Sequence, residues 1–184
     1  MPQRGLFLVT GLPATGKSLL ARALALAMGV PLLGKDAVKE PLLDVLGAAD
    51  AGHSRLLSNA SFAVLFGLAD VQLALVPALV LEGNFRPGEH EVAIAALLER
   101  HTPLSCVQLL CRVPEPLRQE RLRARGADAT RHPGHRDAAW VATADLRSDA
   151  FLEVPGQRYV HDGSSPHGPA GCELIHSLTN RHLV

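Results

Sequence analysis

Short apolar bursts alternate along this chain with longer stretches of helical periodicity. Leu6-Phe7-Leu8-Val9 is an unbroken apolar run, the pattern of a strand buried on both faces, and residues 19–28 follow with a helical period ended by Gly29. Residues 30–34 predict a second strand, and 37–46 a helix stopped by Gly47. From Ser54 to about Val76 apolar residues recur at helical spacing through Leu56, Leu57, Ala60, Val64, Leu65 and Leu68, until Pro77 ends the helix. A third strand is predicted over 78–81, a helix over 89–100, a fourth strand over 104–111 and a helix over 114–125 that opens on a proline. The polar stretch 126–136 breaks the rhythm; a helix over 137–151, a fifth strand over 158–161 and a last helix over 172–178 resume it. Such alternation predicts an α/β architecture, a five-stranded parallel sheet with helices on both faces and right-handed crossovers.

At 184 residues this pattern makes one domain with a real core and room for a small flap. Lys plus Arg and Asp plus Glu are equal at 18 each, so no global field singles out nucleic acid or an anionic membrane as partner. Cys106, Cys111 and Cys172 have no C-x-x-C spacing, which suits a reducing compartment and predicts a cytoplasmic protein. The segment before the first strand is too short for a signal peptide. The apolar segment 62–80 is interrupted by Asp70, Gln72 and Pro77; it reads as a buried helix followed by a strand, and no membrane span is expected.

The chemistry enters between the first strand and the first helix. Gly11-Leu12-Pro13-Ala14-Thr15-Gly16-Lys17-Ser18 fits G-x-x-x-x-G-K-[ST], the phosphate-binding P-loop, in the strand-loop-helix context that the motif requires. Its glycines let successive backbone N–H groups turn inward around an anion at the positive end of the helix that Leu19 continues. Lys17 can then reach the β- and γ-phosphates of a nucleoside triphosphate, and Ser18 can ligate Mg²⁺. A plain glycine turn joining strand to helix is the competing reading.

Polar residues at the ends of the second and third strands bear on what becomes of the phosphate. Asp36 is either a general base for a substrate hydroxyl or the N-cap of the helix that follows. Lys39 either holds an anionic group of the acceptor or is a solvated helix lysine. Glu82 can position Mg²⁺ through its water shell, leaving Asn84 and Arg86 to face the acceptor or to form an ordinary tight turn. Arg118, Arg121 and Arg125 share one helix face, with Arg123 beside them. Arg121 and Arg125 are the candidates to neutralise the transferring phosphoryl; a solvated basic face is the alternative. In Arg131-His132-Pro133-Gly134-His135-Arg136-Asp137 the two histidines suit a flap loop better than a closed zinc site.

The P-loop, the Lys35-Asp36-Ala37-Val38-Lys39-Glu40 segment, Glu82-Gly83-Asn84-Phe85-Arg86, the arginine helix and the Arg131–His135 loop together resemble the small P-loop kinases. These are often described as AAA-family ATP-binding proteins and are similar to polynucleotide 5′-kinase, chloramphenicol phosphotransferase and the zeta toxins. The resemblance covers nearly the whole chain. It implies a three-layer, adenylate-kinase-like P-loop nucleoside triphosphate hydrolase fold with a small arginine-bearing lid around 115–137. It implies ATP and Mg²⁺ as cofactors and γ-phosphoryl transfer to a hydroxyl of a small-molecule, nucleoside or nucleic-acid acceptor, with Asp36 as base. Lys39 stands where polynucleotide kinase carries an arginine, which disfavours a nucleic-acid acceptor, since lysine lacks the bidentate fork. The function expected is therefore an ATP-dependent kinase; the alternative is a nucleotide-dependent regulatory ATPase acting on a protein partner.

Overall fold

The computed structural model describes residues 4–47, 50–128, 132, 148–165 and 169–183. β1 (Gly5–Thr10) leads through a glycine loop into α1 (Lys17–Met28), which ends on Gly29 in the left-handed conformation at φ 63°. β2 (Leu32–Gly34) runs straight into α2 (Lys35–Leu46), and α3 (Ala51–Leu73) follows. The remaining elements are β3 (Ala78–Glu82), α4 (Glu91–Arg100), β4 (Ser105–Arg112), α5 (Glu115–Gly126), β5 (Gln157–Asp162) and α6 (Pro169–Leu183). All five strands pair in parallel in the order β2-β3-β1-β4-β5.

Two cores follow from the two-residue period of the central strands. Leu6, Leu8, Leu79 and Leu81 point to one face, where Phe62, Leu65, Ala69 and Leu73 of α3 and Ile94 and Leu97 of α4 cover them. Phe7, Val9, Val80 and Leu109 point to the other, under Leu20, Leu24 and Met28 of α1 and Leu178 of α6. Burial on both faces is why the strand sequences show no polar alternation. Gln108 is the exception within β4: its side-chain amide donates to Leu152 O at 3.0 Å and accepts from Leu152 N–H at 2.8 Å, which tethers the segment entering β5.

Several elements differ from expectation. α2 begins at Lys35 with Gly34 as N-cap, so Asp36 sits inside the first turn and is not the capping residue. β3 extends through Glu82, one residue beyond the apolar run, because Gly34↔Glu82 pairing continues the ladder. Of the helix expected over 137–151, residues 137–147 lie outside the described residues and 149–151 are not helical. The lid expected over 115–137 is described only as α5, residues 127 and 128, and His132. α3 also departs from the sequence reading. Over Gly52–Leu73 it is long and apolar enough to cross a membrane by length and composition, since Asp70 and Gln72 interrupt too little of it. Its inner side packs on the sheet, but its outer side, read as buried, is exposed at Val64, Leu68 and Val71.

Candidate functional site

The loop between β1 and α1 forms a cradle whose first glycine leaves no room for a side chain. Gly11 has φ 142°, and a Cβ there would lie 2.5 Å from Cys111 O. Ala14 adopts φ 69°, a left-handed conformation unusual for a residue with a side chain. Thr15 Oγ1 donates to Leu12 O at 2.9 Å and Lys17 Nζ to the same carbonyl at 3.4 Å. Gly16 caps α1 with no side-chain bond, and no acidic residue stands in its first turn. The positive end of α1 therefore faces the loop with no acidic residue of its own first turn beside it, which favours an anion.

A second loop closes on this one from β5. A side chain on Gly163 would run into the Thr15 carbonyl, so the backbone of the two loops is in direct contact. Arg121 fixes that approach: its Nη1 donates to Gly163 O at 2.8 Å and its Nη2 to Ser164 O at 3.0 Å. Arg125 lies one helical turn further along α5, half-buried. Arg118 is buried and forms a fork with Glu115 at 2.7 Å, so this side of α5 is not a solvated basic face. The carboxyl of Glu115, hydrogen-bonded first of all by Arg118, is held below its ordinary range.

At the end of β3, Glu82 is buried at 7 % exposure and Ser18 Oγ donates to its Oε1 at 3.3 Å. Burial pushes the Glu82 carboxyl up, the nearby Lys17 pulls it down, and Asp36 pushes it up again. The net result holds the Glu82 carboxyl above its ordinary range, burial outweighing the pull of Lys17. Ser18 and Glu82 offer hard oxygen donors of the kind Mg²⁺ takes, so the residues present fit that ion. Among the described residues no cluster of three or more His, Cys, Asp or Glu side chains forms a further metal site.

The inward face of α2 is cationic. Lys35, Lys39 and Leu43, at four-residue spacing, are its buried residues. Lys35 Nζ lies 3.1 Å from Asp36 Oδ1, the Asp36 side chain being half-exposed at 48 %. Lys39 is only 7 % exposed, and its hydrogen-bond partner is the neutral hydroxyl of Ser54, at 3.1 Å. Burial, then the like charge of Lys35, brings its pKa from 10.5 down to about 8, while Asp36 opposes the fall and Arg86 adds to it. Lys35, Asp36, Lys39 and Arg86 therefore lie in one electrostatic neighbourhood. Arg86 comes from the loop after β3, which Thr10 Oγ1 holds by donating to Phe85 O at 3.5 Å. Arg86 N–H donates to His90 Nδ1 at 2.8 Å and Nη1 to Glu89 at 3.0 Å. His90 is buried against Phe62, with ring centroids 4.1 Å apart, and its burial lowers its pKa. Asn84 is half-buried in the same loop.

The structure thus brings together the cradle of Gly11 to Leu19, Asp36, Lys39, Glu82 and Arg86. His132 Nε2 lies 3.0 Å from Asp44 Oδ1 of α2; Arg131 and residues 133–137, His135 among them, lie outside the described residues. Sequence reasoning missed Ser54, His90 and the Gly163-Ser164 carbonyls. The serine and histidine sit within helices or at their edges, without motif spacing, whereas the Asp162-Gly163 turn at the end of β5 was a usable signal.

A parallel sheet ordered β2-β3-β1-β4-β5 with a phosphate cradle after its central strand defines the class as a three-layer P-loop fold of the small P-loop kinase type. The chain belongs to the AAA_33 family of AAA domains, whose profile matches residues 6–146. It is similar to a protein from Chloroflexus aurantiacus J-10-fl provisionally assigned as a kinase, at 28% identity over 98% of this chain and 99% of that one, with a TM-score of 0.83. A gluconokinase from Sinorhizobium meliloti 1021 superposes with a TM-score of 0.60 at 18% identity, covering 100% of this chain and 96% of that one. A shikimate kinase from Aquifex aeolicus VF5 gives 0.50 at 15% identity, covering 97% and 98%. No protein among those of curated function matches the sequence.

Proposed function

We propose that the protein is a cytoplasmic ATP-dependent phosphotransferase that moves the γ-phosphoryl group to a hydroxyl of a small acceptor carrying an anionic group. The observation that supports this reading best is the position of Glu82, which accepts from Ser18 of the cradle at 3.3 Å and pairs along the strand ladder with Gly34, two residues before Asp36 of α2. Phosphate donor and hydroxyl acceptor would meet over one carboxylate. Ser18 Oγ and, through water, Glu82 would hold Mg²⁺, whose charge offsets that of the β- and γ-oxygens.

The backbone of Gly11 to Leu19 binds the phosphate tail, and Lys17 neutralises the terminal phosphate as it transfers. Asp36 accepts the acceptor's hydroxyl proton while the acceptor oxygen bonds to the γ-phosphorus and the bond from that phosphorus to the β–γ bridging oxygen breaks. Lys39, Arg86 and Asn84 hold the acceptor, the first two through its anionic group. Arg125 joins Lys17 on the transferring group, and Arg121 acts through the Gly163-Ser164 loop it holds. The inward-facing lysines of α2 favour a small anionic acceptor over a polynucleotide, because they are buried and do not line an exposed basic track.

The test is label transfer from γ-labelled ATP to a panel of hydroxy acids, phosphorylated sugars and neutral alcohols. The expected result is phosphorylation confined to anionic members. Asp36→Asn should retain ATP binding while transfer falls about 10²- to 10⁴-fold. Unchanged turnover in that variant removes Asp36 from the reaction. An ATPase indifferent to every acceptor but raised by a protein partner replaces the kinase reading with a regulatory one.

A further inference from the structure

The outward face of α3 serves neither the cradle nor the acceptor pocket. On this face and in the turn that continues it, Leu56, Val64, Leu68, Val71 and Leu75 are between 43% (Leu68) and 75% (Leu75) exposed. From Leu56 to Leu75 none of the exposed residues is charged. A contiguous apolar patch of this kind marks a contact surface.

We infer that this face joins two copies of the chain, α3 packing antiparallel against the α3 of a second copy about a two-fold axis. Self-complementarity in the order of side-chain sizes carries the inference. With the axis between Leu65 and Phe66, Val64 meets Gly67 of the second copy, Ala63 meets Leu68 and Ala60 meets Val71. In each of these pairs a large side chain meets a small one, all of them on the exposed side of the helix. The interhelical ridges then interlock, and each contact is made twice, as an isologous interface demands. The same axis sets Leu56 against Leu75 at the outer ends. It also sets Asn59 against Gln72, whose side-chain amides can both donate and accept.

The area agrees. The exposed apolar residues present on the order of 600 Å² per copy, or roughly 1,200 Å² for the pair, the low end of specific interfaces. A membrane surface is the rival occupant, but helices that lie on lipid carry rows of Lys and Arg beside the apolar face. Here Arg55, at the start of the stripe, is the one Lys or Arg of α3.

Sedimentation velocity and light scattering on the full chain test this. The wild type is expected at twice 19.6 kDa, and Leu68→Glu and Ala63→Lys each at the single mass. The double variant Ala63→Lys/Leu68→Glu should regain the dimer in a salt-sensitive form, because the axis places each new lysine against a new glutamate. Far-UV circular dichroism confirms that each variant is folded; should Leu68→Glu fail that check, Val71→Lys at a 60% exposed position takes its place. A wild type that stays monomeric at high micromolar concentration overturns the proposal. So does a dimer that survives Leu68→Glu, or a double variant that stays monomeric when both singles are. Monomeric wild type that pellets with neutral phosphatidylcholine vesicles, and loses this with Leu68→Glu, assigns the face to lipid instead.

Discussion

Lys39, proposed above to hold the acceptor's anionic group, shows how burial would suit an ordinary residue to recognition. Its ammonium is held out of water beside Lys35 and within reach of Arg86, and its hydrogen-bond partner is neutral. Such a charge destabilises the ligand-free pocket and favours an anion that enters it. Its folded pKa of about 8 lies below the ordinary 10.5, so the group is charged below pH 8 and neutral above. The KM of an anionic acceptor should therefore climb about tenfold per pH unit above that point, with kcat less affected. Folding stability carries the opposite sign. Between pH 8 and 10.5 the unfolded chain holds the proton that the folded one has released, so the protein alone should become more stable as pH rises through this window. Lys39→Met should flatten both profiles and raise acceptor KM about 10- to 100-fold at pH 7. Steady-state kinetics and denaturant titration across pH check this. Asp36 and Glu82 were readable because each stands at the end of an apolar strand. The burial of Lys39 was not, since it depends on α3 folding back to bring Ser54 over the pocket.

The loop after β5 is where an element's geometry decides a residue's role. Sequence spacing put Arg121 on one face with Arg125 and suggested a shared task at the phosphoryl group. Both terminal nitrogens of Arg121 instead bond the carbonyls of Gly163 and Ser164, and Gly163 abuts Thr15 of the cradle. Arg121→Met should then loosen the nucleotide site: KM for ATP rises about tenfold, in keeping with two lost charged hydrogen bonds partly replaced by water, while kcat stays within about threefold. A fall in kcat of about 10²-fold or more with KM unchanged would place the guanidinium on the transferring group. Gly163→Ala tests the same junction without touching charge. Its methyl cannot coexist with the Thr15 carbonyl, so ATP affinity and thermal midpoint should both drop; calorimetric titration and a melting curve read the two. A helix periodicity names the face an arginine lies on, but not which loop a later strand will bring beneath it.

Over the whole chain, local pattern was enough to find all five strands and most helices, because the central strands are buried on both faces and stand out as apolar runs. The order β2-β3-β1-β4-β5 has no local code: it records which distant runs pair, and the structure supplies it. The same limit explains α3, whose periodic apolar residues look alike whether they meet the sheet or face outward. That order places the carboxyl ends of β1, β2 and β3 side by side, so the cradle, Asp36 and Glu82 converge, and binding at the cradle bridges elements from both sides of the central strand. Nucleotide should therefore stabilise the fold as a unit. ATP with Mg²⁺ at about a hundredfold its Kd contributes about 2.7 kcal/mol, and for a chain of this size each kcal/mol moves the midpoint by about 2–4 °C, so a rise of roughly 5–10 °C is expected. Lys17→Ala should melt near the unliganded wild type and show little shift, and chelating Mg²⁺ should reduce the wild-type shift if, as proposed, Ser18 and Glu82 hold the ion against the phosphates. A wild type whose midpoint does not move in saturating ATP and Mg²⁺ would remove the cradle from the proposed function, whatever its sequence motif.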